Sequence, residues 1–204
     1  MANIRWFMMT ILAALIAVLS LRFYLSAEAT DGPMGFHLLH SPIAGYLHFT
    51  LSPLALAAGA FQFRKSIRER RPAVHRALGY GYVTSCLLGA ISGFVLALYS
   101  PSGHIAAVGF ALLALGWIAT TSAAWHAIRL RRIAEHRRWM IRSYALTFAA
   151  VTLRLYLLVA GVIGYGDEPW AYSLIAWICW VPNLLVAEKY LVPPAHPFPA
   201  SART

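Results

Sequence analysis

Residues 135–154 read EHRRWMIRSYALTFAAVTLR. The stretch begins as a basic cluster and passes into apolar helix with no Gly or Pro between the two. It then carries Arg154 at a depth where a membrane-spanning helix should carry hydrocarbon side chains. A charge there costs between about 2.5 and about 17 kcal/mol on the competing scales. The rest of the chain must therefore receive that guanidinium, and a bundle of helices around this one is the arrangement that can.

Composition points the same way. Of 204 residues, 60% are hydrophobic and 12% charged, and mean hydropathy is +0.63. Soluble domains sit near about 45–50% apolar and about 25% charged. The formal charge of +10 does not call for nucleic acid, because six of the 17 Lys and Arg lie in residues 64–76 and six in 129–142. Short basic clusters flanking apolar runs read as cytoplasmic loops under the positive-inside rule. Their expected partner is the lipid bilayer, through anionic inner-leaflet lipids at about 1 kcal/mol per basic residue, and no nucleic acid. Cys86 and Cys179 fall inside apolar runs and make no CxxC motif, so neither a disulfide framework nor a zinc knuckle is implied.

A span takes about 20 largely apolar residues. Six runs qualify: 5–24, 43–63, 73–99, 104–128, 135–163 and 170–192. The expected fold class is all-α, a polytopic integral membrane protein with six transmembrane helices in one domain over residues 1–192. The Pro-rich tail from 193 is expected to be disordered. The first run resembles a signal peptide in being basic then apolar, yet it is long enough to span and no small-x-small site follows, so it reads as an uncleaved helix. Arg22 lies close enough to its end to snorkel. Residues 26–42 read as a loop. Pro53 is expected to kink the second span, and Pro72 suits the first turn of the third. Both basic clusters then share one side, while Glu28, Asp31, Asp167 and Glu168 fall on the other. With an even number of spans, both termini are expected in the cytoplasm.

Four stretches carry a resemblance: HRALGYGYV (75–83), GFALLALGW (109–117), the 135–154 stretch, and AWICWVPNLLVAE (176–188). Together they resemble a bacterial family of predicted membrane proteins filed as domain of unknown function 2306. The resemblance runs over residues 36–190 and implies a multi-span protein of the bacterial inner membrane. It implies no activity. His48, His75, Arg76, His136, Arg137, Trp139, Arg142, Arg154 and Asn183 match it best, while His104 and His126 stand outside its pattern.

Neutral imidazole is the commonest side chain for holding a metal or a haem iron. One candidate sits on each of four successive spans: His48, His75, His104 and His136. In a four-helix antiparallel bundle, alternate helices face each other across the core. His48 is thus expected to meet His104 near the outside, and His75 to meet His136 near the inside. Two such sites holding haem b would let an electron cross the bilayer. The arrangement, though no motif, is similar to that of the ascorbate-dependent transmembrane cytochromes b. The plainer reading is that His75 and His136 are interfacial residues of basic loops and that His104 caps its helix beside Gly103. His37 and His40, three apart, are a weaker candidate for a surface metal, and His126 and His196 read as interfacial and tail residues.

Arg154 follows His136 by eighteen residues, about five helical turns, so both should share a face with Thr147 and position 143 nearby. An intramembrane Arg holds an anionic group such as a haem propionate, a carboxylate or a phosphate. Alternatively it is structural, bonding helix-end carbonyls or Asn183. Glu188 is expected to pair with Lys189 or the basic loops. The glycines at 79–81 and 89–93 read as helix-packing positions. No P-loop, nucleotide fingerprint, HExxH or serine-nucleophile motif occurs. Three classes stay open: a b-type haem or quinone-linked redox protein built on those four histidines with Arg154, a small permease or channel lined by Arg154 and Asn183, and a non-catalytic membrane subunit.

Overall fold

The structure is a computed structural model and describes residues 2–21 and 33–194. Those residues are 86% helix, with no strand among them. The helices are α1 (Ala2–Leu21), α2 (Pro33–His40), α3 (Pro42–Gln62), α4 (Lys65–Arg70), α5 (Pro72–Leu98), α6 (His104–Arg129), α7 (Ile133–Thr147), α8 (Ala149–Val162), α9 (Pro169–Ile178) and α10 (Val181–Tyr190). Pro42, Pro72, Pro169 and Pro182 each stand in the first turn of a helix, where a missing N–H costs nothing. Gly103 (φ 87°) and Gly164 (φ 85°) take the left-handed backbone that reverses the chain before α6 and after α8.

Five helical stretches are long and apolar enough to cross a membrane: Pro42–Gln62, Pro72–Leu98, His104–Arg129, Ile133–Val162 and Pro169–Tyr190. The apolar part of α1, Trp6–Leu21, is shorter. Large apolar side chains such as Ile91, Leu98, Leu115, Leu158 and Val162 face outwards. Helices that satisfy their own backbone and present such a surface suit hydrocarbon as solvent.

The segment expected as a loop is helical over Pro33–His40, and the first basic cluster folds part of its length into α4. The fifth and sixth spans are each broken, at Phe148 and at 179–180, where single helices were expected. Thr147 donates from its Oγ1 back to Ser143 O at 2.9 Å, the back-bonding that bends helices. Pro182 removes a backbone donor at the second break. By contrast α3 continues through Pro53. Arg22, Glu28, Asp31, His196 and the tail from 195 lie outside the described residues.

The core centres on α3, α5, α6 and α7, with α1 laid against α3. Gly59 lets α3 approach the aromatic centre: a Cβ there would stand 2.5 Å from the Tyr144 ring and 2.7 Å from that of Tyr82. A buried chain of hydroxyls ties α5, α6 and α7. The Tyr82 hydroxyl lies 2.8 Å from Ser143 Oγ and 2.9 Å from Thr147 Oγ1, Thr121 Oγ1 lies 2.7 Å from Ser143 Oγ, and Trp117 Nε1 donates to Thr147 Oγ1 at 2.9 Å. Each polar group removed from water here has a partner, which is what makes burial tolerable.

Candidate functional site: an intramembrane cavity with His48 and Arg154

Between α3, α5, α6, α8 and α9 the helices leave a cavity of about 530 Å³. Small residues make the room, among them Ala90, Gly93, Ala97, Ala114, Ala149 and Ala150. Most of the wall is apolar, and His37, His48 and Arg154 bring charge or titratable nitrogen to it. The volume is that of an ordinary small-molecule pocket, about 300–1,000 Å³.

His48 is fixed by α5. Its Nδ1 lies 2.7 Å from Gly89 O, with Ser52 Oγ at 3.3 Å from the same nitrogen. A carbonyl only accepts, so Nδ1 carries the hydrogen and Nε2 of the neutral ring keeps its lone pair. The approach depends on Gly89 and Gly93, one turn apart: a Cβ on Gly93 would meet the His48 ring at 2.8 Å, and one on Gly89 would meet Ser52 Oγ at 3.1 Å. The packing role expected of these glycines is what the structure shows. It does not extend to Gly81, whose added Cβ would meet nothing within 4 Å.

Arg154 reaches the same cavity from α8. Its Nη1 donates to Ala150 O at 2.9 Å, and its charge is felt at both His48 and Tyr172. Asn183 is engaged elsewhere, donating to Cys179 O at 2.9 Å, to Thr152 Oγ1 at 3.1 Å and to Ala145 O at 3.4 Å where the sixth span breaks. His37 comes from α2, outside the spans. Its Nδ1 is buried with no hydrogen-bond partner among the described residues. Burial pushes its pKa below the ordinary histidine value, and neighbouring His40 pushes it the same way. His40 itself bonds Phe36 O at 2.9 Å and stacks on the Phe36 ring.

The other sequence candidates fall elsewhere. His104 is exposed at the start of α6 and is not part of the cavity wall, so the cavity brings His48 together with Arg154 and His37 instead. His75 and His136 both lie at the end of the bundle that carries the basic clusters, within electrostatic reach of each other. His136 Nδ1 lies 2.9 Å from Ala124 O. Phe148 divides α7, which carries His136, from α8, which carries Arg154, and the two side chains bond different carbonyls, Ala124 O and Ala150 O. Glu188 pairs with Arg142, through Nε at 2.5 Å and Nη2 at 3.0 Å, and the guanidinium lies 4.5 Å from the centre of the Trp139 ring. Among the described residues no group of three His, Cys, Asp or Glu is placed to hold a metal ion.

Residues 45–191 match the family described as predicted membrane protein (DUF2306). The chain belongs to that family. The match takes in His48, Arg154 and the basic end, and leaves Leu19, Ser20 and His37 of the cavity wall outside it; the family is an uncharacterised one. No curated protein matches the chain, and no solved structure does.

Proposed function

We propose that this membrane protein binds a quinone-type molecule, a flat carbonyl-bearing head on an apolar tail, and serves membrane electron transfer. The observation that supports this is the meeting of His48 and Arg154 in one largely apolar cavity. A quinone carbonyl accepts from the Arg154 guanidinium. A quinol hydroxyl donates to Nε2 of His48, which the Gly89 carbonyl leaves as an acceptor. Both contacts gain strength from the low dielectric around them, and the apolar wall takes the tail. His48 and His37 come from the neighbouring helices α3 and α2, not from facing helices. That favours a quinone in this cavity over a bis-histidine haem.

The same reading carries the topology. Six spans, with α1 as the first, put both basic clusters and both termini on the cytoplasmic face of a bacterial inner membrane, where those clusters hold anionic lipid headgroups. A small permease for carboxylates is the second reading, favoured by the position of Arg154 beside two titratable imidazoles.

The test is binding of a short-chain benzoquinone to the purified full-length protein, followed by quenching of tryptophan fluorescence, with Trp117 in the wall as the nearest reporter. Arg154→Gln and His48→Gln should each weaken binding by about tenfold, the value of one hydrogen bond to a charged or desolvated group. A protein that binds no quinone, but takes up a carboxylate in an Arg154-dependent way, supports the permease reading instead.

A further inference from the structure

A second site stands at the basic end, on residues the cavity does not use. Tyr82 on α5 and Ser143 on α7 touch through their hydroxyls at 2.8 Å, and both are fully buried. His75 precedes Tyr82 by seven residues, and His136 precedes Ser143 by seven. Both helices run away from the basic end. Seven residues are about two turns and about 10 Å of rise, with a drift of only about 20°. The two imidazoles therefore face the same bundle interior as the Tyr82–Ser143 contact, one level nearer the basic end. Their mutual electrostatic reach agrees with that placement.

The ring nitrogens are in the state that ligation needs. His136 gives its Nδ1 hydrogen to Ala124 O at 2.9 Å, which leaves Nε2 as a lone-pair donor held in a fixed orientation. His75 has a buried Nδ1 with no hydrogen-bond partner among the described residues. One turn further along α5, Gly79 leaves space: an added Cβ would meet only Gln62 Oε1, at 3.8 Å. The surrounding charges choose the ligand. Arg68 and Arg76 act on His75, and Arg137 and Arg138 follow His136 directly. Such a field repels a bare divalent cation, whereas an iron porphyrin brings two carboxylates for guanidinium groups to hold.

We infer that His75 and His136 are the axial ligands of one iron porphyrin at the basic end of the bundle, with the neighbouring arginines holding its propionates. This site is independent of quinone binding in the cavity, and either can fail alone.

The full-length protein is purified in mild detergent, incubated with hemin, passed through a desalting column, and its visible spectrum recorded before and after dithionite. A Soret band that sharpens on reduction, with resolved α and β bands and one haem per chain, is the expected result. His75→Ala and His136→Ala should each lower bound haem by at least about tenfold, since even the outer-shell partners of a metal ligand are worth about 10–100-fold in affinity. His104→Ala, at the exposed start of α6, should leave it unchanged. His75→Gly with added imidazole should recover the band, which separates a lost ligand from a lost fold. A colourless wild-type protein, a spectrum indifferent to both histidines, or bound zinc in place of iron would overturn the inference.

Discussion

The Nδ1 of His48 lies 2.7 Å from the carbonyl oxygen of Gly89, so a histidine on α3 is held by the backbone of α5. The contact sets the tautomer of the imidazole that lines the cavity, and it exists because α5 presents glycine on two successive turns. Helix packing and site chemistry are here the same contact.

Gly93→Ala should therefore be costly. Its Cβ would stand 2.8 Å from the His48 ring, and the ring cannot withdraw without giving up the Gly89 bond. Overpacking of this kind costs about 1–3 kcal/mol. Gly81→Ala is the control, because its Cβ meets nothing within 4 Å; there the gain in helix propensity should leave stability equal or raised by up to about 1 kcal/mol. Thermal unfolding of both variants in the same detergent decides the matter. Equal destabilisation at the two positions would mean that the His48 contact does not govern the packing of α3 on α5.

The hydroxyl chain allows a graded test. Tyr82→Phe removes one member and leaves Ser143 Oγ with Thr121 and Thr147 Oγ1 with Trp117, so the loss should be about 1 kcal/mol. Thr147→Val strands both Trp117 Nε1 and part of the Tyr82 bonding, and should cost about 1–3 kcal/mol. In a double-mutant cycle the two losses should fall short of additivity, since they share a bond. Strict additivity would show that the chain does not act as a unit.

Much of this was legible in the sequence, for reasons that individual residues make plain. Apolar run length located the five spans because burial in hydrocarbon is a property of composition, which a sequence displays directly. The pairing of Gly89 with Gly93 announced a close helix contact, and Thr147 with position 143 announced a polar stripe. The partners of these groups were not legible. His48 was matched to His104 by an idealised alternation of helices, whereas the structure sets it against Gly89, because proximity depends on rotation about each helix axis and no local pattern fixes that rotation. The register from His136 to Arg154 assumed one unbroken helix, whereas the stretch is divided at Phe148 into α7 and α8. Asn183 was offered to Arg154, yet it serves the carbonyls left open by the break before Pro182.

The docking of α2 should depend on pH. Burial, aided by His40, holds the pKa of His37 below its ordinary value of 6.5. The undocked segment binds the proton more readily, so docking is fully favoured above about 6.5 and weakens as pH falls below it. His48 and Arg154 line the same cavity wall as His37. Amide exchange over residues 33–40, corrected for intrinsic rates, should be slower at pH 8 than at pH 5.5, and His37→Gln should flatten the difference. Protection that does not change with pH in the wild-type chain would show that His37 does not hold α2 in place.

The pair between Arg142 and Glu188 joins α7 to α10, and it is two-pronged. Glu188 is nearly half exposed, so solvent screening limits the pair, and Glu188→Gln should cost no more than about 1 kcal/mol. Arg142→Ala should cost more, because it also removes the guanidinium from the Trp139 ring, a contact worth about 0.5–1 kcal/mol at such sites. The exchange Arg142→Glu with Glu188→Arg separates the two effects. It should recover the ionic part of the loss but not the part owed to Trp139, and the recovered part should shrink in high salt. Full recovery of stability in the exchanged protein, measured by thermal unfolding at low ionic strength, would assign the whole effect to charge and none to the ring.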